Sequence, residues 1–167
     1  MPTGERVVSD TSPLLNLALI DRLDLIERQF SSVVVPEQVW DELTDGESGV
    51  DDFVAYRDRG VIQVHTVSDT RLVREFYSEL DRGEAAALAL AIETDASLVL
   101  IDEREARAAA ERHDIPKTGV IGILLRGSKN GTVSLPDELD AVRDAGFWIS
   151  DELYEMALER DSGSGID

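Results

Sequence analysis

Five acidic residues stand where the chain has little structural use for an acid: Asp10, Glu42, Glu84, Asp102 and Glu103. Asp10 directly follows the short strand expected at residues 6–9, around Val7-Val8, and Asp102-Glu103 halt the buried strand expected at 97–101. Glu42 lies three residues after Val39 and beside Leu43. Glu84 shares a helical face with Leu88 and Ala91, which turns it inward rather than to solvent. Carboxylates gathered in one cleft repel one another, and their pKa values rise unless cations neutralise them. Hard divalent ions such as Mg²⁺ or Mn²⁺, held by oxygen ligands, are the usual remedy. Such ions activate water and stabilise in-line displacement at a phosphodiester. With two histidines and no cysteine, the chain is poorly equipped for a zinc hydrolase.

Each acid also admits a plain structural role. Asp81-x-x-Glu84 is a capping-box variant. Glu42 can be an ordinary helix-end carboxylate, and Asp102-Glu103 can cap the helix that follows them. Asp10 and Ser12 can form a turn and an N-cap. Asp10 can equally act as a nucleophile or phosphoacceptor, although Ser12 stands where a phosphohydrolase usually carries a second aspartate.

The elements that must position these residues alternate along the chain. Strands are expected at 6–9, 33–35, 61–67, 97–101 and 115–118, each short and rich in Val or Ile. Ser12 is expected to cap a first helix with Pro13 in its first turn. Further helices are expected at 23–30, 37–43 behind Pro36, 50–59, 69–80, 85–93, 104–113, 119–129, 136–145 and 151–160. Turns fall at 44–49 and at Asn130-Gly131. Such alternation predicts an α/β sandwich with a mainly parallel central sheet. In that architecture, functional groups gather beyond the carboxyl ends of the strands, where Asp10 and Asp102-Glu103 stand. Residues 1–160 read as one domain and 161–167 as a flexible tail.

Composition narrows the setting. The chain has 35 Asp+Glu against 16 Lys+Arg, a net charge of −19, and only Lys117 and Lys129 are lysines. Abundant acids with few lysines resemble proteins of salt-loving archaea. At molar salt the Debye length is roughly 3 Å, so an acidic chain is not barred from a polyanionic partner. No apolar run is long enough to span a bilayer and no signal peptide is visible, so a cytoplasmic protein with no membrane partner is expected.

A second candidate surface is basic. Residues 104–129 carry six of the basic residues, Arg104, Arg107, Arg112, Lys117, Arg126 and Lys129, and a net charge of +3. Arg104, Arg107 and Lys129 are candidate phosphate contacts beside Asp102. Pairing within the helix, as between Arg107 and Glu111, explains the same residues equally well. His65 and His113 read as structural. Trp40 and Trp148 read as packing residues rather than base-stacking platforms. Gly119-Val120-Ile121-Gly122 lacks the spacing and lysine of a phosphate loop.

Taken in order, Val7–Leu15, Val34–Leu43, Asp81–Ala91 and Leu98–Glu103 resemble the motifs of the PIN domain family. Arg107 and Gly119–Leu125 further resemble a largely uncharacterised prokaryotic branch of it. The resemblance covers roughly residues 6–145. It implies a three-layer α/β/α sandwich and a Mg²⁺- or Mn²⁺-dependent ribonuclease, many such proteins being toxins of VapC-type toxin–antitoxin pairs. By that resemblance Asp10, Glu42, Glu84 and Asp102 form the acidic quartet. Asp10, Glu84 and Asp102 would hold the ions, and Ser12 would orient the first aspartate. The family's third acid is usually an aspartate opening its helix, where this chain has Glu84 preceded by Asp81. The fourth acid falls on Asp102 or Glu103. RNA is the implied substrate, and an antitoxin protein and a second copy in a homodimer are the implied partners. A non-catalytic, protein-binding member of the family is the alternative.

Overall fold

The structure, a computed structural model, describes residues 5–163. Among them, strands and helices alternate as the apolar patterning requires. The chain runs β1 (Val7–Ser9), α1 (Thr11–Leu19), α2 (Asp24–Phe30), β2 (Val33–Pro36), α3 (Glu37–Asp45), α4 (Val50–Asp58) and β3 (Ile62–His65). It continues through α5 (Thr70–Phe76), α6 (Arg82–Glu93), β4 (Leu98–Leu100), α7 (Arg104–Arg112), β5 (Lys117–Thr118), α8 (Val120–Lys129), α9 (Leu135–Asp144) and α10 (Asp151–Gly163).

The five strands form one sheet in the order β3-β2-β1-β4-β5, with every pairing parallel. Helices flank the sheet, as an all-parallel sheet requires to bury both its faces. The central strand β1 pairs Val8 with Val34 on one side and with Val99 on the other. Val7, Val8 and Ser9 are accordingly all buried. From β1 the chain winds outward to β2 and β3, then crosses back to β4. The direction of winding therefore reverses between β1 and β4, and a crevice opens beyond the carboxyl ends of those two strands. Asp10 and Asp102 sit at that crevice.

Helix α6 is the keystone of the core. It packs across β1, β2 and β4 and against α3, α5 and α7. Gly83 through Ala91 are buried without a break, so α6 has almost no solvent face. A helix enclosed on every side needs small residues, and Ala85, Ala86, Ala87, Ala89 and Ala91 supply them. Helix α8 packs on α2, α9 and α10 and buries Val120, Ile123 and Leu124.

Several local expectations are corrected. Asp10, not Ser12, holds the N-cap position of α1, in extended conformation (φ −81°, ψ 176°), and Ser12 is the second residue of that helix. The helix expected at 69–80 ends at Phe76. A turn closed by Leu80 N–H to the Phe76 carbonyl (2.9 Å) then releases Asp81 into the extended conformation that caps α6. The strand expected at 61–67 pairs only over Ile62–His65, and that at 115–118 only over Lys117–Thr118. Helix α10 runs to Gly163, three residues into the stretch read as a tail, while residues 164–167 lie outside the described residues. No described helix is long and apolar enough to cross a membrane.

Candidate functional site

Asp10 reaches the crevice because β1 is one residue too short to absorb it. Its backbone N–H continues the β1–β4 ladder by donating to the Leu100 carbonyl (3.0 Å). Its side chain makes no capping hydrogen bond to α1, although it occupies the N-cap position. The carboxyl is thus spared for the crevice, where it is only 4% exposed.

Two helices bring further acids to it. Glu84 is the third residue of α6 and closes a capping box. Its N–H donates to Asp81 Oδ1 (2.8 Å), and its Oε1 accepts from the Asp81 N–H (3.1 Å). The capping role is therefore real, yet Glu84 is also buried and lines the same cavity as Asp10. Glu42 arrives from α3, which packs on α6. The close approach depends on Gly83: a Cβ there would collide with Glu42 Oε1 and lie 3.4 Å from Asp10 Oδ1.

Asp10, Glu42 and Glu84 share a cavity of about 380 Å³ with Glu103, with Asp81, read from the sequence only as a cap, and with two acids not named as site candidates, Glu79 and Glu105. No basic residue lines it among the described residues. Glu79 is held by Arg112 at the surface, and Asp81 by the α6 cap. Burial, reinforced by Glu84, Asp81 and Glu42, pushes Asp10 up to about 8, against the pull of the Thr11 backbone N–H. Burial and Asp81 raise Glu42, while Thr11 and Arg82 temper the rise. Burial raises Glu84 too, partly offset by its bond to the Asp81 backbone. The Thr11 hydroxyl beside Glu42 is buried without a well-formed hydrogen bond.

Asp102 faces a different way. Its Oδ1 accepts from the Val120 N–H (2.9 Å), and its Oδ2 accepts from the Ser12 hydroxyl (3.3 Å). It therefore caps α8, reached through the β4–β5 pairing, and not the adjacent α7. Gly119 permits this, because a Cβ there would strike Asp102 Oδ1. Burial raises the Asp102 pKa; the Val120 N–H, Ser12 and then Arg107 hold it down. Ser12 consequently supports Asp102 and not Asp10, and its oxygen also accepts from Asn16 Nδ2 (3.0 Å). Glu103 stands at the N-cap position of α7 but makes no side-chain cap. Ser12 and Glu103 line both the acidic cavity and a larger neighbouring groove that contains Asp102.

That groove, about 870 Å³, gathers part of the basic set. Arg104, Arg107 and Lys117 line it, joined by Arg160 from α10. Arg107 Nη1 donates to the Ile101 carbonyl (3.3 Å), and Glu111 pairs with Lys117 (2.8 Å) instead of Arg107. Lys129 does not reach the groove; it ends α8, whose opening residues line it. At a rise of 1.5 Å per residue, the far end of α8 is on the order of 13 Å from its start. Trp40 is half-buried with the Arg57 guanidinium 4.9 Å from its ring centroid. Trp148 is not a packing residue: it is 81% exposed and lines the groove. His113 ends α7, its ring edge-on to Phe76.

The acidic cavity suits a divalent ion by its donor chemistry. It offers hard oxygen ligands, a buried carboxyl held far above its ordinary range, and no internal counter-charge. Among the described residues, no three acids or histidines already converge tightly enough to form a finished metal shell. The cavity thus offers converging oxygens, of which Glu42 and Glu103 are exposed and free to adjust.

A family model described as PIN domain matches residues 6–162. No curated protein matches the chain.

Proposed function

Because the chain belongs to the PIN domain family, we propose that it is a Mg²⁺- or Mn²⁺-dependent endoribonuclease acting at the acidic cavity. The observation that carries this reading is the convergence of Asp10, Glu42 and Glu84 from β1, α3 and α6 on one cavity, with Gly83 clearing the space between them. Burial, reinforced by the neighbouring carboxylates, drives Asp10 up to about 8, a cost that points to a functional role. A bound divalent ion would supply a Lewis acid and an activated water for phosphodiester hydrolysis.

In this proposal Asp10 and Glu84 hold the ion from the floor of the cavity, and Glu42 completes the shell or orients water from its rim. Asp102 and Glu103 share the fourth position by division of labour. Glu103 presents its carboxylate to the cavity, and Asp102 fixes Ser12 and the start of α8 beside it. The resemblance to VapC-type toxins extends the proposal to restraint of the activity by a partner protein. A phosphoacceptor role for Asp10 is less favoured, because the surrounding carboxylates would repel an incoming phosphoryl group.

The test is cleavage of RNA with Mn²⁺ in concentrated KCl by the wild type and by Asp10→Asn. Cleavage in the wild type, abolished by Asp10→Asn and by EDTA, is the expected result. Equal cleavage by the variant would remove the site.

A further inference from the structure

The groove beside the acidic cavity combines three features that the nuclease reading does not use. First, it is locally cationic in a chain of net charge −19: Arg104, Arg107, Lys117 and Arg160 line it against Asp102 and Glu103. Second, it carries an indole, Trp148, left 81% exposed. An indole so exposed keeps its large apolar surface available to stack on a planar ligand. Third, the segment bearing it is held rigid between α9 and α10. The Phe147 N–H donates to the Val142 carbonyl (2.9 Å). Arg143 Nη2 donates to the Ile149 carbonyl (2.9 Å), and Ile149 is buried. The indole is thus presented by a backbone fixed on both sides, which lowers the ordering penalty of binding.

We propose that this groove seats single-stranded RNA, with an unpaired base stacked on Trp148 and neighbouring phosphates on Arg104, Arg107 and Arg160. The inference rests on the nuclease reading for its ligand class. The groove meets the acidic cavity at Ser12 and Glu103, so a strand lying in it leads its backbone toward Asp10. A base must be unpaired to offer its face to the indole, so the groove selects single strands over duplex. Stacking also persists where salt screens charge, and every base has a face to offer, so sequence preference from Trp148 is weak. Local arginines offset the repulsion that the acidic surface exerts on a polyanion.

The experiment uses the full chain in EDTA, so that RNA is bound without being cut, in a Trp40→Phe background that leaves Trp148 as the only tryptophan. The probe is a mixed-sequence oligoribonucleotide of about ten nucleotides, single-stranded or annealed to its complement, a length within the reach of such sites. The expected result is quenching of Trp148 fluorescence by the single strand and little by the duplex. Trp148→Ala should raise Kd about five- to a hundredfold, and Trp148→Phe should restore most of the affinity. In cleavage assays the loss should fall on KM more than on kcat, with unchanged circular dichroism. Unquenched fluorescence, or a Trp148→Ala Kd within twofold of wild type, overturns the proposal. So does a shift from dimer to monomer on Trp148→Ala with RNA affinity intact, which assigns the indole to a second copy. Cleavage that ignores Trp148 sinks the groove and leaves the nuclease reading standing; quenching without Mn²⁺-dependent cleavage does the reverse.

Discussion

Gly83 and Glu42 are in such close register that a methyl group on the Gly83 Cα would occupy the place of Glu42 Oε1. Gly83 is the second residue of α6, where alanine is the better helix former by roughly 0.5–1 kcal/mol. The obstructing atom belongs to the tip of an exposed, flexible side chain, which can swing aside. Gly83→Ala should therefore keep or slightly raise the melting temperature while displacing Glu42 and lowering Mn²⁺-dependent cleavage about tenfold or more. Thermal unfolding and cleavage rates, measured on one preparation, check both halves. A variant as active as wild type would show that Glu42 need not stand where it does.

Asp10 predicts an inverted pH dependence of stability. Its carboxyl titrates near 8 in the folded chain against 3.8 ordinarily. Between those values the folded state binds a proton that the unfolded state does not. Its contribution to stability is thus fully present below about pH 4 and is lost as pH rises through about 8. Asp10→Asn, which mimics the neutral form, should unfold at higher temperature than wild type in EDTA at pH 8.5, by an amount that shrinks toward pH 5. Mn²⁺ should stabilise the wild type at pH 8.5 and the variant much less. A wild type more stable than Asp10→Asn at pH 8.5 in EDTA would mean that the carboxyl is not strained by its surroundings.

The sheet and most helices were legible because buried parallel strands read as short Val-rich runs between amphipathic segments. Asp10, Glu42 and Glu84 were legible as candidates because each interrupts an apolar pattern. What stayed hidden depends on partners remote in sequence. Ser12 was read as a cap or as support for Asp10, but it bonds to Asp102, 90 residues away. Asp102 was read as capping α7, but the β4–β5 pairing carries it to the first N–H of α8. Trp148 was misread because tryptophan is usually packed, and no local pattern shows that its neighbours Phe147 and Ile149 take the burial instead. Gly83 left one usable signal, a glycine directly before Glu84 at the start of a helix rich in alanine and leucine.

Asp102 and Glu103, adjacent in sequence, should respond to mutation in opposite ways. Asp102→Ala removes a charged cap from α8 and strands the Val120 N–H, a loss of about 1–3 kcal/mol. Glu103→Gln touches an exposed side chain without a capping bond and should change stability by no more than about 0.5 kcal/mol. Its effect should fall on Mn²⁺ affinity, lowered about tenfold or more, as even the loss of a ligand's supporting partner can do. Denaturant unfolding and calorimetric metal titration separate the two. The reverse pattern, a stable Asp102→Ala chain that no longer binds Mn²⁺, would make Asp102 the direct ligand.

The raised pKa of Asp10 also dictates how metal must bind. At pH 7 a carboxyl titrating near 8 is mostly protonated. A divalent ion takes only the deprotonated form, so binding must expel that proton. Below pH 8 the apparent affinity should climb by about tenfold per pH unit if Asp10 alone titrates, and flatten above it. Cleavage at subsaturating Mn²⁺ should follow the same rise. Titration calorimetry in two buffers of different ionisation heat measures the proton count directly: close to one for wild type at pH 6.5, and less for Asp10→Asn. Glu42 and Glu84 are raised as well, so a residual fraction of a proton in the variant would report their share. A pH-independent affinity between 6 and 8 would place the metal, and with it the chemistry, away from Asp10.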